Sequence, residues 1–333
     1  MRKGHLIAAV VALPLFAWVI AHVGLSTLLL QLKAMRLAVP IVLTLSVLRL
    51  FLQSIAWSVS LDGEHVSVDI AKLMGVRLAS QSMGYLTVLG PVISEPMKIK
   101  LLGTPAEPTI TATLLDDGVY WFTSTLLAIL GVISLPLVAA HGARYHAIPA
   151  VLSLGGMVFL IVRRNPILSV LVRTLGKHAP SWLARAEKLE AAIRSRRVHD
   201  HALVSRMLWI DVACQVLIAS EVVVVLWSLH LPIHFFTVIA IDGVTRALKL
   251  LSGWIPARLG SDEGGAISAF ALTGFSPLLG LSLALTRRVR DLLWALIGIA
   301  WFAWNSHALG GREKGSPGVT GTLLKEIEGC RQL

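Results

Sequence analysis

The 333-residue chain is 55% hydrophobic and only 15% charged, and it carries a net charge of +11. Its mean hydropathy is +0.75. Apolar runs such as 6–23 and 204–229 match the roughly 20 residues that a helix needs to cross about 30 Å of hydrocarbon. This composition excludes a soluble enzyme. Because the basic residues lie in short stretches between apolar runs, it also favours an anionic membrane leaflet over nucleic acid as the partner of the positive charge.

Taken in chain order, seven segments are long and apolar enough to predict membrane spans. These are 6–23, 38–61, 119–140, 147–162, 204–229, 264–286 and 292–304. With the two interrupted stretches described next, they predict an all-α, polytopic transmembrane helix bundle of about seven to nine membrane segments.

Two apolar stretches, 68–103 and 231–260, are interrupted by Gly, Pro and charged residues. We interpret each as a re-entrant hairpin of broken helices, the first opening to the cytoplasm and the second to the outside. Such opposite polarity is typical of an inverted repeat, in which interrupted segments at corresponding places form a transport site. The alternative is that each stretch is a full span.

The distribution of Lys and Arg predicts the orientation. Segment 163–200 has nine basic and three acidic residues, and Arg287, Arg288 and Arg290 form the next basic cluster. Both are predicted to be cytoplasmic loops, with a cytoplasmic N-terminus, in a multi-pass protein of the cell inner membrane. The predicted organisation is an integral membrane domain, 1–309, with halves 1–162 and 201–309, a connector 163–200 and a polar tail 310–333.

The first interrupted stretch places Glu95 and Lys98 among helix breakers. In LGPVISEPMKIKLLG, Pro91 and Pro96 prevent an uninterrupted helix, so free backbone groups must be satisfied by protein or by a wet cavity. Upstream, Arg77, Gln81 and Tyr85 recur at i, i+4 and i+8, which puts them on one helix face. A polar, cationic hollow is the expected result.

The second interrupted stretch repeats this chemistry in KLLSGWIPARLGSDEGG, which contains Arg258, Asp262 and Glu263. Just before it, Asp242 and Arg246 are spaced to share a helix face and to neutralise each other. Charges inside a membrane cost about 2.5–3.5 kcal/mol each on insertion scales unless they are paired or wet. They therefore mark either a binding site or structural ion pairs, such as Glu95 with Lys98 and Glu263 with Arg258.

Cations grouped with broken helices suit an anionic headgroup, because free backbone N–H groups and cationic side chains both bind phosphate oxygens. Catalytic motifs are absent from the sequence, and His230 with His234 is a weak metal pair, so no cofactor and no metal are expected. The predicted substrate-binding residues are Arg77, Gln81, Glu95, Lys98, Arg246, Arg258, Asp262, Glu263 and Arg288.

The order of these features resembles the lysylphosphatidylglycerol synthase transmembrane family, also called the flippase-like domain family. The resemblance rests on LGPVISEPMKIKLLG, on WIPARLGSDEGGAISAFALTG and on the basic residue in ALTRRVRDLL. It assigns Glu95 and Lys98 to the first motif, Glu263 to the second and Arg288 to the late arginine. Ser94 departs from the glycine that is usual in the family.

The resemblance implies movement or handling of an anionic lipid or of a lipid-linked intermediate such as a polyprenyl phosphate. Members that aminoacylate lipids carry a large soluble domain that is not present in this sequence, and some stand-alone relatives are associated with hopanoid synthesis. Two alternatives stay open: a membrane-embedded polyprenyl-phosphate-dependent transferase, and a non-catalytic scaffold for a lipid-modifying enzyme.

Overall fold

The computed structural model describes residues 35–87, 90–138, 201–251, 258 and 260–312. Within these ranges the chain is all-helical and no strand occurs. The predicted spans 6–23 and 147–162, the connector 163–200 and nearly all of the tail 310–333 lie outside the described residues.

The first half contains a long helix, two short helices and a second long helix. These are α1 (Ala38–Asp62), α2 (Ile70–Leu86), α3 (Gly90–Leu102) and α4 (Ala106–Val138). The chain leaves α2 at Thr87, which is extended, and Gly90 and Pro91 begin α3. Proline is tolerated in the first turn of a helix, where its missing N–H has no partner to lose.

The second half repeats this order. It contains α5 (His201–Ser228), α6 (Phe235–Leu251), α7 (Ser261–Leu272) and α8 (Pro277–Arg312). Gly260, at φ +80°, turns the chain into α7, and Asp262 and Glu263 lie in its first turn, where negative charge complements the helix dipole. The Glu263 side chain accepts a hydrogen bond from the Gly260 N–H at 2.9 Å, which closes half of a capping box.

The packing partners repeat as well as the helix order. Helix α1 packs on α5, its counterpart in the other half. Helix α2 packs on α8, and its counterpart α6 packs on α4. The first helix of each hairpin, α2–α3 or α6–α7, therefore packs on the last long helix of the opposite half. The contacts of α2 with α3 and of α3 with α4 recur as α6 with α7 and α7 with α8. The order and the packing partners of the described helices therefore correspond between the two halves.

Small residues allow these crossings. A Cβ on Gly131 would lie 2.4 Å from the Gly243 Cα, so α4 and α6 approach backbone to backbone. On the other side, Gly298 of α8 lies against the backbone of Leu78, and Ser82 donates to the Trp294 carbonyl at 3.2 Å. Close approach at small residues is a common way in which helices pack inside a membrane.

Three of the described helices are long and apolar enough to cross a membrane, namely α1, α4 and α5. Two of these candidate spans, α1 and α5, coincide with the predicted spans 38–61 and 204–229. The predicted span 119–140 is present in part, but its helix begins 13 residues earlier, at Ala106. The predicted span 292–304 lies within α8, which is not among these three helices.

The prediction that 264–286 forms one span is wrong. Helix α7 ends at Leu272, the chain turns through Gly274 at φ +85°, and Pro277 begins α8. Proline cannot continue a helix without losing a hydrogen bond, and glycine provides the left-handed turn. The second hairpin is therefore α6 with α7, and it extends to Leu272 instead of ending at Gly260.

The assignment of Arg287, Arg288 and Arg290 to a loop is also wrong. All three lie inside α8 and are at most 5% exposed. They are ion-paired within the bundle, and therefore they carry no information about which side of a membrane they face.

Candidate functional site

Arg288 contacts both helical hairpins, the first near the end of α2 and the second near the start of α7. Its guanidinium donates to the Tyr85 hydroxyl at 3.2 Å and forms an ion pair with Glu263. Tyr85 is the next-to-last residue of α2, and Glu263 lies in the first turn of α7. Arg288 itself is 2% exposed on α8. The tips of the two hairpins therefore meet at one buried arginine.

A second group of charges, which we call the hairpin cluster, consists of Arg77, Glu95, Lys98, Asp116 and Asp117. Lys98 Nζ lies 2.9 Å from Glu95 Oε2 and 3.1 Å from Asp117 Oδ1. The carboxyl groups of Glu95 and Asp117 thus lie beside the same ammonium group. Helix α3 places one carboxyl group and one ammonium group against the Asp117 carboxyl group of α4.

Arg77 completes the hairpin cluster from α2. It forms an ion pair with Asp116, and its guanidinium carbon lies 5.4 Å from the centre of the Trp57 ring, within cation–π range. Arg77 is 5% exposed, and its Nε atom is buried without a hydrogen-bond acceptor in the described part of the chain.

Glu95 lies on α3, which at 13 residues is too short to cross a bilayer and is outside the three candidate spans. Burial raises the pKa of the Glu95 carboxyl to about 7, and the neighbouring Asp117 carboxyl acts in the same direction. Lys98 opposes both effects. The Glu95 carboxyl is therefore easier to protonate than an ordinary glutamate.

A third group joins α4, α5 and α6. Arg246 Nε donates to Asp242 Oδ2 at 2.6 Å, as the i, i+4 spacing predicts, and the same guanidinium donates to the Gln215 side chain. The Gln215 amide donates to Thr123 Oγ1 at 3.0 Å. Arg246 is 7% exposed, and its Nη2 has no hydrogen-bond partner among the residues described.

Arginines of α8 extend this third group toward α5. Arg287 lies 3.3 Å from both Glu221 and Asp242, and Arg290 pairs with Glu221 and with Asp291. Sequence reasoning did not place Arg287, Arg290 or Glu221 in a site, because their partners are on other helices. The available signal was a carboxylate, Glu221, in the middle of an apolar run that is otherwise free of charge over many residues.

The structure brings some of the predicted residues together and separates others. Glu95 with Lys98 forms the expected i, i+3 pair, but Glu263 pairs with Arg288 and not with Arg258 as expected. Gln81 is exposed, although it was predicted to share a polar stripe with Arg77 and Tyr85. Arg258 is partly buried at φ +48°, and Asp262 has a buried Oδ1 without a hydrogen-bond partner among the described residues.

The charges in these groups are compensated. In the hairpin cluster two cations face three carboxyl groups, and Arg246 and Arg287 share Asp242. Pairing of this kind offsets the several kcal/mol that each isolated ion would cost in a low-dielectric interior. The site is polar, as predicted, but its cations are already paired, in contrast to the expected cationic hollow.

Comparisons with protein-family models, with curated proteins and with solved structures found no match to this chain.

Proposed function

We propose that this protein moves or handles an anionic lipid, or a lipid-linked intermediate such as a polyprenyl phosphate, across the cell inner membrane. The observation that carries the proposal is the meeting of the two hairpin tips at Arg288, which contacts Tyr85 of one hairpin and Glu263 of the other. One buried guanidinium that touches both broken helices can respond to a change in either hairpin.

The arrangement of broken helices supports transport over a static role. Helices α2 and α6 are 17 residues each, while α3 and α7 have 13 and 12 residues. Short paired helices that dip into a membrane from opposite sides place their free backbone ends near its middle, where transporters bind substrate. We propose that the two-fold repeat is inverted in this way, and that the protein belongs to the flippase-like family on the motifs around Glu95 and Glu263.

The proposed topology follows from the extent of the second hairpin, which consists of α6 and α7. With the hairpin extended to Leu272, α8 is the one long helix that follows it among the described residues, and we take it as the last crossing. The first hairpin then opens to the cytoplasm, the second opens to the outside, and α8 returns the chain to the cytoplasm. The proposed polar cavity lies between the hairpin tips.

The ion pairs fit a cycle in which partners are exchanged. A phosphate-bearing headgroup that enters the site replaces a carboxylate as the partner of Arg288 or Lys98, since arginine binds carboxylate and phosphate with similar geometry. Because the cations are neutralised when no headgroup is bound, the empty site can close without leaving an unpaired buried charge.

The test is transport by the full chain reconstituted in vesicles that contain a phosphatidylglycerol with a fluorescent headgroup-side label. Dithionite added outside quenches the exposed fraction, and the rate of further quenching reports movement between leaflets. We expect wild type to accelerate movement over empty vesicles. We expect Arg288→Gln and Lys98→Gln to slow it at least tenfold, because each removes a cation that contacts a hairpin.

The matched control is Lys100→Gln, which changes an exposed lysine on the same helix as Lys98. It should transport like wild type. Equal rates in wild type, Lys98→Gln and empty vesicles would overturn the proposal and favour a scaffold for a lipid-modifying enzyme. Size-exclusion profiles in detergent show whether each variant remains folded.

A further inference from the structure

We infer that the hairpin cluster binds a phosphate-class anion together with one proton, so that anion binding and proton uptake are coupled at this site. The inference rests on the proposed function, which it deepens by naming the coupling ion. It depends on three features of the cluster: a shared cation, an unpartnered buried donor and the total charge.

Lys98 is the shared cation. Its ammonium group lies between Glu95 and Asp117, at 2.9 Å and 3.1 Å, and is 6% exposed. Two carboxylates that share one ammonium group also repel each other, so a proton on one of them relieves this repulsion. Protonation of Glu95 weakens its interaction with the Lys98 ammonium group, because a neutral carboxyl accepts a hydrogen bond from an ammonium less strongly than a carboxylate does.

Arg77 supplies the unpartnered donor. It is 95% buried, and its guanidinium lies in the cluster through its pair with Asp116. Its Nε–H nevertheless meets no acceptor within the described ranges. A buried donor without a partner costs about 1–3 kcal/mol, so an oxygen of a bound anion that accepts this hydrogen bond recovers that cost.

The total charge requires the proton. With every group ionised, two cations and three carboxylates leave one negative charge, which repels an anion. One proton makes the cluster neutral, and a singly charged phosphodiester then restores the original single negative charge. Proton and anion thus enter together without changing the charge that the surrounding helices must accommodate.

Charged groups on the helices packed against α3 set the electrostatic surroundings of the cluster. Helix α2 contributes Arg77, together with Lys72, whose ammonium donates to the Leu102 carbonyl at 2.7 Å. Helix α4 contributes Asp116 and Asp117. The Glu95 and Asp117 side chains are 33% and 25% exposed, so protons and ligands can reach them while Lys98 stays covered.

Linkage fixes the sign of the pH effect. A ligand that binds with a proton binds more tightly as the pH falls, and the proton in turn binds more tightly when the ligand is present. Above the range in which Glu95 titrates, the affinity should fall about tenfold per pH unit, since one proton is taken up per anion. Below that range the affinity should become independent of pH.

The experiment is titration calorimetry of the full chain in detergent, with short-chain phosphatidylglycerol in one arm and dimethyl phosphate, a phosphodiester that does not titrate near neutral pH, in the other. Repeating each titration in buffers of different ionisation enthalpy counts the protons taken up. We expect close to one proton per anion on the alkaline side of neutrality and none on the acidic side. Coupled binding of the lipid alone identifies a headgroup site, and coupled binding of both identifies a general phosphate site.

Glu95→Gln mimics the protonated carboxyl, so it should bind the anion without proton uptake and with the affinity that wild type shows at acid pH. Glu107→Gln, an exposed carboxylate at the start of α4, is the matched control and should keep the pH dependence of wild type. Asp117→Asn is a second variant, and it should also abolish proton uptake. Proton uptake that persists in both Glu95→Gln and Asp117→Asn, or that is absent in wild type, overturns the inference.

The two proposals fail in different ways. Transport that is independent of pH, with no proton taken up on binding, would overturn this inference and leave the proposed function in place. Proton-coupled anion binding without any movement of labelled lipid between leaflets would overturn the proposed function and support coupled binding at the cluster.

Discussion

Arg77 and Asp116 form an ion pair in which both side chains are at most 8% exposed. Removing one partner of such a pair costs about 3–5 kcal/mol, because the other is left as an unpaired buried charge. Replacing both partners by apolar residues of similar size is often close to neutral. Comparing single and double replacements of this pair therefore measures how much each charge contributes to stability only by neutralising the other.

We expect Arg77→Met to lower the thermal unfolding temperature in detergent strongly, and Asp116→Leu to do the same. The double variant should recover most of the loss, because no unpaired ion remains. A double-mutant cycle on these four proteins measures the coupling, which we expect to be about 2–3 kcal/mol. Additive single losses would show that the pair does not act as a unit.

At this scale the sequence predicted which residues matter better than it predicted their partners. The charges inside apolar runs were visible, and the two local pairs, Glu95 with Lys98 and Asp242 with Arg246, follow from helical spacing. The partners of Arg77 and Arg288 could not be predicted in this way, because Asp116 and Tyr85 lie 39 and 203 residues away from them. Periodicity along one helix carries no information about which helix packs against it.

The crossing of α4 and α6 depends on a pair of glycines. A Cβ on Gly131 would lie 2.4 Å from both the Gly243 Cα and the Ile239 carbonyl oxygen, and backbone cannot move aside as a side chain can. The helices would have to separate. Overpacking of this kind typically costs about 1–3 kcal/mol.

We therefore expect Gly131→Ala to lower the unfolding temperature. The matched control is Gly264→Ala in α7, where an added Cβ meets no heavy atom within 4 Å. There alanine should be neutral or stabilising by up to about 1 kcal/mol, since it favours the helix over glycine. Equal effects of the two substitutions on the melting temperature would show that α4 and α6 are not in backbone contact.

The element boundaries show where hydropathy alone misleads. Segment 264–286 is apolar throughout, and averaging over a window hides the turn at Gly274 and Pro277. The opposite error occurred at Arg287 and Arg290, where charge suggested a loop although the helix continues. Carboxylates on α5 and α6 form ion pairs with these arginines, and these pairs offset the free-energy cost of burying the arginine charges inside a helix bundle.

For the whole molecule, the repeat can be tested through its two equivalent junctions. The chain turns from α3 into α4 near Ala106, and from α7 into α8 near Ser276, and both residues are exposed. An inverted repeat places these junctions on opposite sides of the membrane, whereas a parallel repeat places them on the same side.

We expect Ala106→Cys and Ser276→Cys to be labelled by an impermeant maleimide from opposite faces of sealed vesicles. The background for both is a chain in which Cys214 and Cys330 are replaced by Ser. Labelling of both positions from one face would contradict the inverted arrangement, and with it the proposal that the hairpins open to opposite sides. Added detergent, which exposes both faces, controls for the reactivity of each cysteine.

Because the first hairpin packs on the last long helix, the order of synthesis determines when this hairpin can reach its final position. Helix α2 packs on α8 as well as on α1 and α3, and its Ser82 side chain donates to the carbonyl of a residue 212 positions later. The ribosome must therefore finish almost the entire chain before the first hairpin can be locked in place. Until then Ser82 and Tyr85 lack their partners on α8, and contacts between such distant parts of a chain form slowly. Premature stops within α8 should therefore affect the earliest hairpin as severely as the truncated helix itself.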